Sequence, residues 1–290
     1  MKQIIEKIKN DIYNFSSKKV QNIIEDFQKE FGYNTSKLVD AVNKDYERYN
    51  FKMRIDELEK IFEEENKSPI LITEKIDEKI IIDGIGTVVV IYNGRPEVTL
   101  RMILKGLKTH NKIILCDKNN LKINKVLVDM AKKVISKNNY YIDVINITDR
   151  YDDIYSSQEM IDKIIYIGNK CDYIELRKRL YIDTEYNGYG YIALFCDDDE
   201  KEKNVQNIQL YCLTNFFDID VFYNDIDNAI AHINYLAYNE TTVIFSKNKE
   251  NLIKFMLNVK SDKIYINKNP LPEYKFNISD EKLIRRKQII

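Results

Sequence analysis

Four cysteines are the residues of this sequence best suited to nucleophilic chemistry, because a thiolate is both a strong nucleophile and a metal ligand. They are Cys116, Cys171, Cys196 and Cys212. The four form no CxxC pair and show no cysteine–histidine ligand spacing. This pattern argues against structural zinc and against a disulfide framework, so we expect reduced thiols and no metal site.

The two histidines are weaker candidates for acid–base chemistry. His232 lies in AIAHIN at helical spacing with Asn228 and Leu236. Such a position favours a structural role in a helix over that of a general base. His110, in KTHNK before a predicted strand, is expected to be an exposed loop residue.

A run of four acids, residues 197–200, raises the question of a divalent cation. Consecutive acids point in different directions, and no supporting ligands surround them in the sequence. We therefore expect a solvated turn.

Composition narrows the class of protein. The chain has 290 residues, of which 44% are hydrophobic and 31% charged, as in folded domains with a real core. The 45 Lys and Arg nearly balance the 46 Asp and Glu, so nothing favours nucleic acid or an anionic membrane as a partner. The N-terminal MKQIIEKIKNDIYNF interrupts its apolar residues with charge and resembles neither a signal peptide nor a membrane span. A cytoplasmic location is the expectation.

Alternating strands and helices must position these residues. Continuous apolar runs predict four strands buried on both faces, namely GTVVVIY (86–92), KIILC (112–116), YYIDVINI (140–147) and KIIYIG (163–168). Helical patterns separate the first three, through Leu100 to Leu107 and through Val126 to Ile135. This order is typical of a parallel sheet with crossover helices, an α/β, Rossmann-like fold of the nucleotide-binding type.

Three regions are expected along the chain. Residues 1–67 are helical in pattern, with apolar positions from Val20 to Phe31, and form an arm because no single helix is apolar enough to close a core. Residues 68–200 hold the Rossmann-like sheet, beginning with ILITEKIDEKIIID, which can form paired strands. Residues 201–290 alternate shorter strands and helices as a reduced second domain. No Gly/Ser linker marks the boundary near 200, so composition alone places it there.

Two blocks resemble the aldehyde dehydrogenase superfamily, most closely glutamate-5-semialdehyde dehydrogenase (gamma-glutamyl phosphate reductase). The first is GTVVVIYNGRPEVTLRMILKGLKTHNKIILCDKNNLKINKVLV, residues 86–128. The second is DIDNAIAHINYLAYNETTVIFSKNKENLIKFMLNVKSDKIYINKNP, residues 225–270. With similar stretches between them, the blocks follow the family's order of elements over about half of the chain. The resemblance implies an aldehyde dehydrogenase-like fold.

The resemblance also implies a function. It predicts an NADP(H)-dependent oxidoreductase that reduces an acyl phosphate to an aldehyde through a cysteine thioester, in proline synthesis. The alternative is a non-catalytic relative retained for binding a nucleotide or a partner protein. Family members associate through a strand-bearing C-terminal segment, so KIYINKNP (263–270) is a candidate homodimer contact.

Three residues are candidates for binding the cofactor. Arg95 follows the first buried strand, at the end where ligands bind in parallel sheets. Lys118 follows the second strand and could meet a ribose or a 2′-phosphate, as a lysine near this position does in related enzymes. Gly168 ends the fourth strand. Solvated loop charges are the alternative interpretation of Arg95 and Lys118.

Cys212 is the candidate nucleophile, on alignment with the family. NVQNIQLYC followed by LTNFFDIDVF has the outline of the family's helix, catalytic cysteine and strand. In the alternative alignment, FFDIDVF belongs to the strand before AIAHIN, and the catalytic segment is deleted near Cys212. The second alternative is favoured because the chain is much shorter than family members, with the loss between Glu200 and Asp225, and too little remains to shape a site. Cys116, Cys171 and Cys196 are expected to be structural.

Two further departures from the family concern binding. The glycine-rich turn that follows the second strand in family members, where backbone can approach a phosphate, is replaced by CDKNN (116–120). The segment after Pro272 does not match the family's closing segment.

Overall fold

The computed structural model describes residues 17–49, 55–70, 80–139, 144–150, 152–168, 170–187, 191–215, 218–223, 225–236, 241–261, 263–270 and 278–288. The helices in these ranges are α1 Ser17–Tyr33, α2 Thr35–Tyr49, α3 Ile55–Asn66, α4 Pro96–Lys108, α5 Lys122–Lys137, α6 Asp152–Ser156, α7 Lys170–Arg177, α8 Lys201–Asn215, α9 Ile226–Leu236 and α10 Lys249–Asn258. The strands are β1 Ile80–Gly84, β2 Thr87–Tyr92, β3 Lys112–Asp117, β4 Ile145–Thr148, β5 Lys163–Ile167, β6 Thr184–Asn187, β7 Tyr191–Cys196, β8 Asp218–Phe222, β9 Thr241–Phe245, β10 Lys263–Ile266 and β11 Ile284–Gln288.

The first sheet has five strands in the order β4-β3-β2-β5-β6, and all of them are parallel. Every residue of the central strand β2 is buried. Its side chains alternate between two cores, because Val88 and Val90 face one cluster and Val89 and Ile91 face the other. The predicted parallel sheet with crossover helices, and with it the α/β class, is confirmed.

A second parallel sheet has the order β10-β9-β7-β8. Its central strand, β7, lies between β8 and β9. Residues 191–196 are predicted from the sequence to belong to the region of the first sheet, but they pair with the later strands β8 and β9 instead. A strand buried on both faces has the same continuous apolar sequence in either sheet, and no linker separates the two sheets, so the sequence pattern does not distinguish between them.

The helical arm shares the core of the first sheet. The apolar positions expected on α1, from Val20 to Phe31, are at most 1% exposed and belong to the same cluster as Val88 and Val90. Within the arm, the ring of Phe62 on α3 packs edge-on against Phe27 at 5.2 Å and Phe31 at 5.4 Å. The arm therefore closes its core against α4 and α5 rather than by itself.

A two-stranded antiparallel sheet joins β1 to β11, with Ile80 opposite Gln288 and Gly84 opposite Ile284. The sequence analysis expected residues 70–83 to form paired strands among themselves. Residues 71–79 lie outside the described ranges, and β1 pairs with the C-terminal segment, which the family resemblance did not cover. Among the helices that the structure describes, none is long and apolar enough to cross a membrane.

Candidate functional site

The carboxyl edge of the first sheet is the place where an open parallel sheet binds ligands. The chain leaves β2 toward β3 on one side and later returns to β5 on the other, so the crevice lies beyond the ends of β2 and β5. Arg95, Lys118 and Gly168 follow β2, β3 and β5 respectively. The fold therefore brings the three predicted residues to one edge.

Arg95 is buried at this edge, with 1% of its surface exposed. It is the N-cap residue of α4, and its carbonyl oxygen accepts from the backbone N–H of Thr99 at 3.1 Å and from its hydroxyl at 3.3 Å. Arg95 therefore lies inside the protein rather than in an open cleft.

Lys118 is the predicted residue that reaches a cleft. Its Nζ lies 3.4 Å from the Tyr166 hydroxyl and 3.4 Å from Asp172 Oδ2, and 5.2 Å from the centre of the Tyr166 ring. Its side chain is 25% exposed. Its backbone N–H donates to the Tyr92 carbonyl, which fixes the loop after β3 to the end of β2.

Gly168 lies at the end of β5, against the Tyr166 side chain that lines the cleft. Its N–H donates to the carbonyl of Asn187 at 3.2 Å. A Cβ at this residue would lie 2.8 Å from the Tyr166 hydroxyl oxygen. Glycine here leaves room for the Tyr166 ring, and so helps to shape the cleft next to Lys118.

The cleft has a volume of about 260 Å³ and is lined by basic side chains, acidic side chains and aromatic rings. Its lining residues are Lys118, Tyr155, Tyr166, Asp172, Glu175, Leu176 and Arg179. The Arg179 guanidinium lies 5.6 Å from the centre of the Tyr155 ring, in a cation–π contact. Of these lining residues, only Lys118 is predicted from the sequence as a binding residue. Tyr166 offered a signal, because it is a polar-tipped ring in an otherwise apolar strand, whereas α6 and α7 bring Tyr155 and Asp172 in from separate elements.

Asp117 organises the loops at this edge, and the sequence analysis also missed it. The residue is 1% exposed, and its carboxylate accepts four hydrogen bonds. The donors are the backbone N–H groups of Gly94 at 2.8 Å, Asn119 at 2.9 Å and Leu121 at 2.8 Å, and the side-chain amide of Asn124 at 2.7 Å. The glycine-free CDKNN turn is thus held by an acid instead of closing around a ligand.

A second carboxylate completes the start of α5. Asp45, on α2 of the arm, accepts from the backbone N–H groups of Lys122 and Ile123, each at 2.9 Å. Burial raises the pKa of Asp45, and the hydrogen bonds from the two backbone N–H groups partly offset this increase. Backbone N–H groups in the first turn of a helix often bind anions. In α5 these groups donate to carboxylates of the protein itself.

Three of the four thiols are described, and all three are buried. Burial raises the pKa of Cys116, at the end of β3, to about 12, and that of Cys196, at the end of β7, to about 11. Such thiols are mostly protonated at neutral pH and are poor nucleophiles. Cys171 lies in α7, and its side chain is outside the described part.

Cys212 lies in helix α8 and is 1% exposed. Its side chain belongs to the main core cluster, together with Ile208 one turn earlier and Val205 two turns earlier on the same helix. Helix α8 and strand β8 make up the described part of the segment between Glu200 and Asp225 where the family's catalytic region was expected to be shortened. Within the described part of the chain, the Cys212 thiol is covered by the side chains around it.

The expectation for His110 is wrong. The residue is 7% exposed, because the C-terminal segment covers the turn between α4 and β3. A hydrogen bond of 2.7 Å from Asn111 Nδ2 to the Leu283 carbonyl oxygen joins this turn to that segment. His110 has a φ of 54°, and its Nε2 has no hydrogen-bond partner among the described residues. Burial lowers the pKa of His110 to about 4. His232 is exposed on α9, with its ring 5.1 Å from that of Phe222.

The acidic run after β7 is divided among separate partners. Asp197 accepts from the Asn251 amide at 2.6 Å, Asp198 accepts from the Asn204 amide at 2.7 Å, and Asp199 pairs with a lysine at 2.8 Å. The described residues contain no group of three or more His, Cys, Asp or Glu side chains placed to hold a metal ion.

Comparison with solved structures identifies the fold. The chain is similar to a probable aldehyde dehydrogenase from Listeria monocytogenes, with a TM-score of 0.63 and 10% identity over 98% of this chain and 96% of that one. It is also similar to a glyceraldehyde-3-phosphate dehydrogenase from Methanocaldococcus jannaschii complexed with NADP, with a TM-score of 0.62 and 12% identity over 98% and 92% of the two chains. No protein-family model and no curated protein matches the sequence. The chain therefore has the aldehyde dehydrogenase fold, as the resemblance implied.

Within that fold, a more particular likeness is to gamma-glutamyl phosphate reductase. The enzyme from Thermotoga maritima superimposes with a TM-score of 0.57 and 16% identity, over 91% of this chain and 86% of that chain. At these identities the likeness concerns the fold, and the chemistry of this chain has to be argued from its own residues.

Proposed function

We propose that this chain is a non-catalytic protein of the aldehyde dehydrogenase fold that binds a nucleoside or nucleotide in the cleft beside Lys118. The observation that carries the proposal is the burial of Cys212 inside helix α8, at 1% exposure. A covalent mechanism requires a thiolate that a substrate carbon can reach. The other described thiols, Cys116 and Cys196, are buried as well and hold their protons more tightly than an ordinary cysteine.

The binding half of the proposal rests on the chemistry of the cleft. The Lys118 ammonium, the Tyr166 hydroxyl and the Asp172 carboxylate lie 3.4 Å from one another. Hydrogen bonds of this length are long compared with the usual range of about 2.7 to 3.2 Å, so a ligand hydroxyl could compete for these groups. A donor and an acceptor side by side suit the neighbouring hydroxyls of a ribose, and the Tyr155 ring offers a surface for a base.

The residues at this edge do not fit the whole of NADP. The cleft volume, about 260 Å³, lies below the roughly 300 to 1,000 Å³ of typical ligand pockets. Arg95 is buried, and the backbone donors of the neighbouring loops are used by Asp117 and Asp45.

The binding proposal is tested by calorimetric titration with adenosine. Wild-type protein should bind it, and Lys118→Ala should weaken binding at least tenfold because the variant loses the ammonium donor. Lys125→Ala is the matched control, since Lys125 is exposed on α5 outside the cleft. Equal affinity in the wild type and Lys118→Ala, or no binding to the wild type, would contradict the proposal.

The competing candidate is an oxidoreductase that acts on an aldehyde or an acyl phosphate, as in proline synthesis, with Cys212 as the nucleophile. The likeness to dehydrogenases, one of them complexed with NADP, favours it. It requires helix α8 to open and expose Cys212. NADPH-dependent reduction of gamma-glutamyl phosphate that disappears in Cys212→Ala but persists in Cys196→Ala would establish this candidate against our proposal.

Association into a homodimer is a further part of the proposal. Among the strands that the structure describes, β10 is at the edge of the second sheet and pairs with β9 on one side. An edge strand presents backbone donors and acceptors that a second copy could pair with. The N–H of Asn267 donates to Ile244 of β9, and because N–H groups alternate in direction along a strand, that of Ile264 faces the free edge. Replacing Ile264 with proline would remove this outward-facing donor, so a dimer formed through β10 should dissociate in analytical ultracentrifugation. A cytoplasmic location is retained as a prediction that fractionation of the source cells would test.

A further inference from the structure

The carboxylate of Asp117 lies in a concave set of four donors at the carboxyl edge of the first sheet. Three donors are backbone N–H groups from two different loops, those of Gly94, Asn119 and Leu121, and the fourth is the amide of Asn124. All four contacts are between 2.7 and 2.9 Å, the range of strong charge-assisted hydrogen bonds.

Donor sets of this kind bind anions, phosphate among them. Converging backbone N–H groups in a loop after a parallel strand, together with the first turn of a helix, form an anion site. Here the anion is supplied by the chain itself. Asp117 is 1% exposed, so no room for a second anion remains among the four donors.

The neighbouring backbone donors also bond to a carboxylate of the protein itself. Asp45 accepts from the N–H groups of Lys122 and Ile123, which are the next donors along α5. Gly94, with a φ of 53°, packs its Cα against Asn119, and a Cβ there would lie 2.9 Å from that side chain. The loops after β2 and β3 are therefore in contact and leave no gap between them.

Helices α4 and α7, which follow β2 and β5 at this edge, carry acids in their first turns. Helix α4 begins with Pro96, which has no N–H, and continues with Glu97. Helix α7 has Asp172 in its first turn. A negative charge at a helix N-terminus uses the favourable end of the helix dipole and repels a second anion.

We infer that the Asp117 carboxylate takes the place of a ligand phosphate at this sheet edge, so the adjacent cleft selects phosphate-free nucleosides over nucleotides. The statement about Asp117 stands on the hydrogen bonds alone. The statement about the ligand rests on the proposed function.

The role of Asp117 is tested by replacing the internal anion with an external one. Asp117→Ala should have a lower Tm than the wild type, because buried backbone donors lose their acceptor. Inorganic phosphate should restore part of that loss in Asp117→Ala, and it should raise the Tm of the wild type only by the smaller amount that its general exclusion from protein surfaces produces. Asp149→Ala is the control, since Asp149 is an exposed acid near the same loop that accepts from Asn120. Equal stabilisation of Asp117→Ala and of the wild type by phosphate would overturn the inference.

Ligand selection is tested on the wild-type protein, so it does not depend on a variant that folds. Adenosine, AMP and ADP are titrated under identical salt. The inference expects AMP and ADP to bind more weakly than adenosine, and equal or tighter binding of either nucleotide would overturn it. If none of the three binds, the proposed function fails, and the phosphate measurement on Asp117→Ala then decides the role of Asp117 by itself. If Asp117→Ala does not fold, the comparison of adenosine with ADP decides.

Discussion

The carboxylate of Glu65, on the helical arm, lies 3.7 Å from the ammonium of Lys108, on the first crossover helix, and both side chains are buried. Arg101 at 3.1 Å and Lys105 at 3.6 Å contact the same carboxylate. Burial lowers the pKa of Lys108, and Glu65 opposes that shift. Asp280 of the C-terminal segment pairs with Lys105 at 2.6 Å. One buried network of ion pairs therefore connects the arm, the first sheet's helix layer and the C-terminal segment.

Removing the charge of Glu65 should strongly destabilise the fold. Glu65→Gln leaves three buried cations without their shared partner, and breaking a buried pair in this way costs about 3 to 5 kcal/mol. The free energy of unfolding from urea titration measures the loss. Glu63→Gln, an exposed acid on the same helix, is the control and should change stability by no more than about 0.5 kcal/mol. Equal stability of the Glu65 and Glu63 variants would show that the buried network contributes nothing.

Stability should fall in mild acid because of His110. Its pKa is lowered to about 4 in the folded protein from 6.5, so the unfolded chain binds a proton more readily between these two values. The folded state is therefore favoured fully above pH 6.5 and loses about 3 kcal/mol of stability as the pH falls to 4. Urea titrations at several pH values, compared between the wild type and His110→Asn, isolate this contribution.

Asparagine suits this test because it tolerates the positive φ of His110. His232→Asn is the control, since His232 is exposed on α9. The loss between pH 6.5 and 4 should be smaller in His110→Asn and unchanged in His232→Asn. An identical pH dependence in all three proteins would contradict the assignment.

The first sheet could be predicted because its strands are continuous runs of β-branched residues, such as GTVVVIY, which few other structures accommodate. The arm was visible for a similar reason, through the spacing of Val20 to Phe31. The helix around Cys212 also left a signal, since Val205, Ile208 and Cys212 are three and four residues apart and all buried. Alignment with the family's outline drew attention to the cysteine instead of to this periodicity.

The role of Asp117 could not be predicted in the same way. Its donor Gly94 is 23 residues away in sequence and reaches it because β2 and β3 are neighbours in the sheet. Likewise, Asp45 reaches α5 only because the arm folds back onto that helix. The burial of His110 depends on the C-terminal segment, for which the sequence offered no recognisable pattern. Contacts between distant segments, rather than local propensity, decide these three positions.

Cys212 should resist alkylation in the folded protein. At 1% exposure, its thiol is reached by iodoacetamide only when α8 opens. Labelling at Cys212, followed by mass spectrometry of its peptide, should be slow in buffer and rapid in concentrated urea. Cys196, also buried, provides an internal reference in the same digest. Fast labelling of Cys212 without urea, while Cys196 stays protected, would favour the oxidoreductase candidate.

Gly84 should be a position where a single methyl group is not tolerated. The residue ends β1, and a Cβ there would lie 2.5 Å from the Thr109 carbonyl oxygen and 2.8 Å from that of His110. Because both atoms are backbone, Gly84→Ala must push β1 away from the α4–β3 turn, at a cost of about 1 to 3 kcal/mol. Gly32→Ala is the matched control, since nothing lies within 4 Å of a Cβ at Gly32 in helix α1. Alanine there should raise the free energy of unfolding by about 0.5 to 1 kcal/mol, because it restricts the unfolded chain more than glycine does. Thermal unfolding should therefore shift in opposite directions in the two variants, and a rise in Tm for Gly84→Ala would show that β1 is not held against this turn.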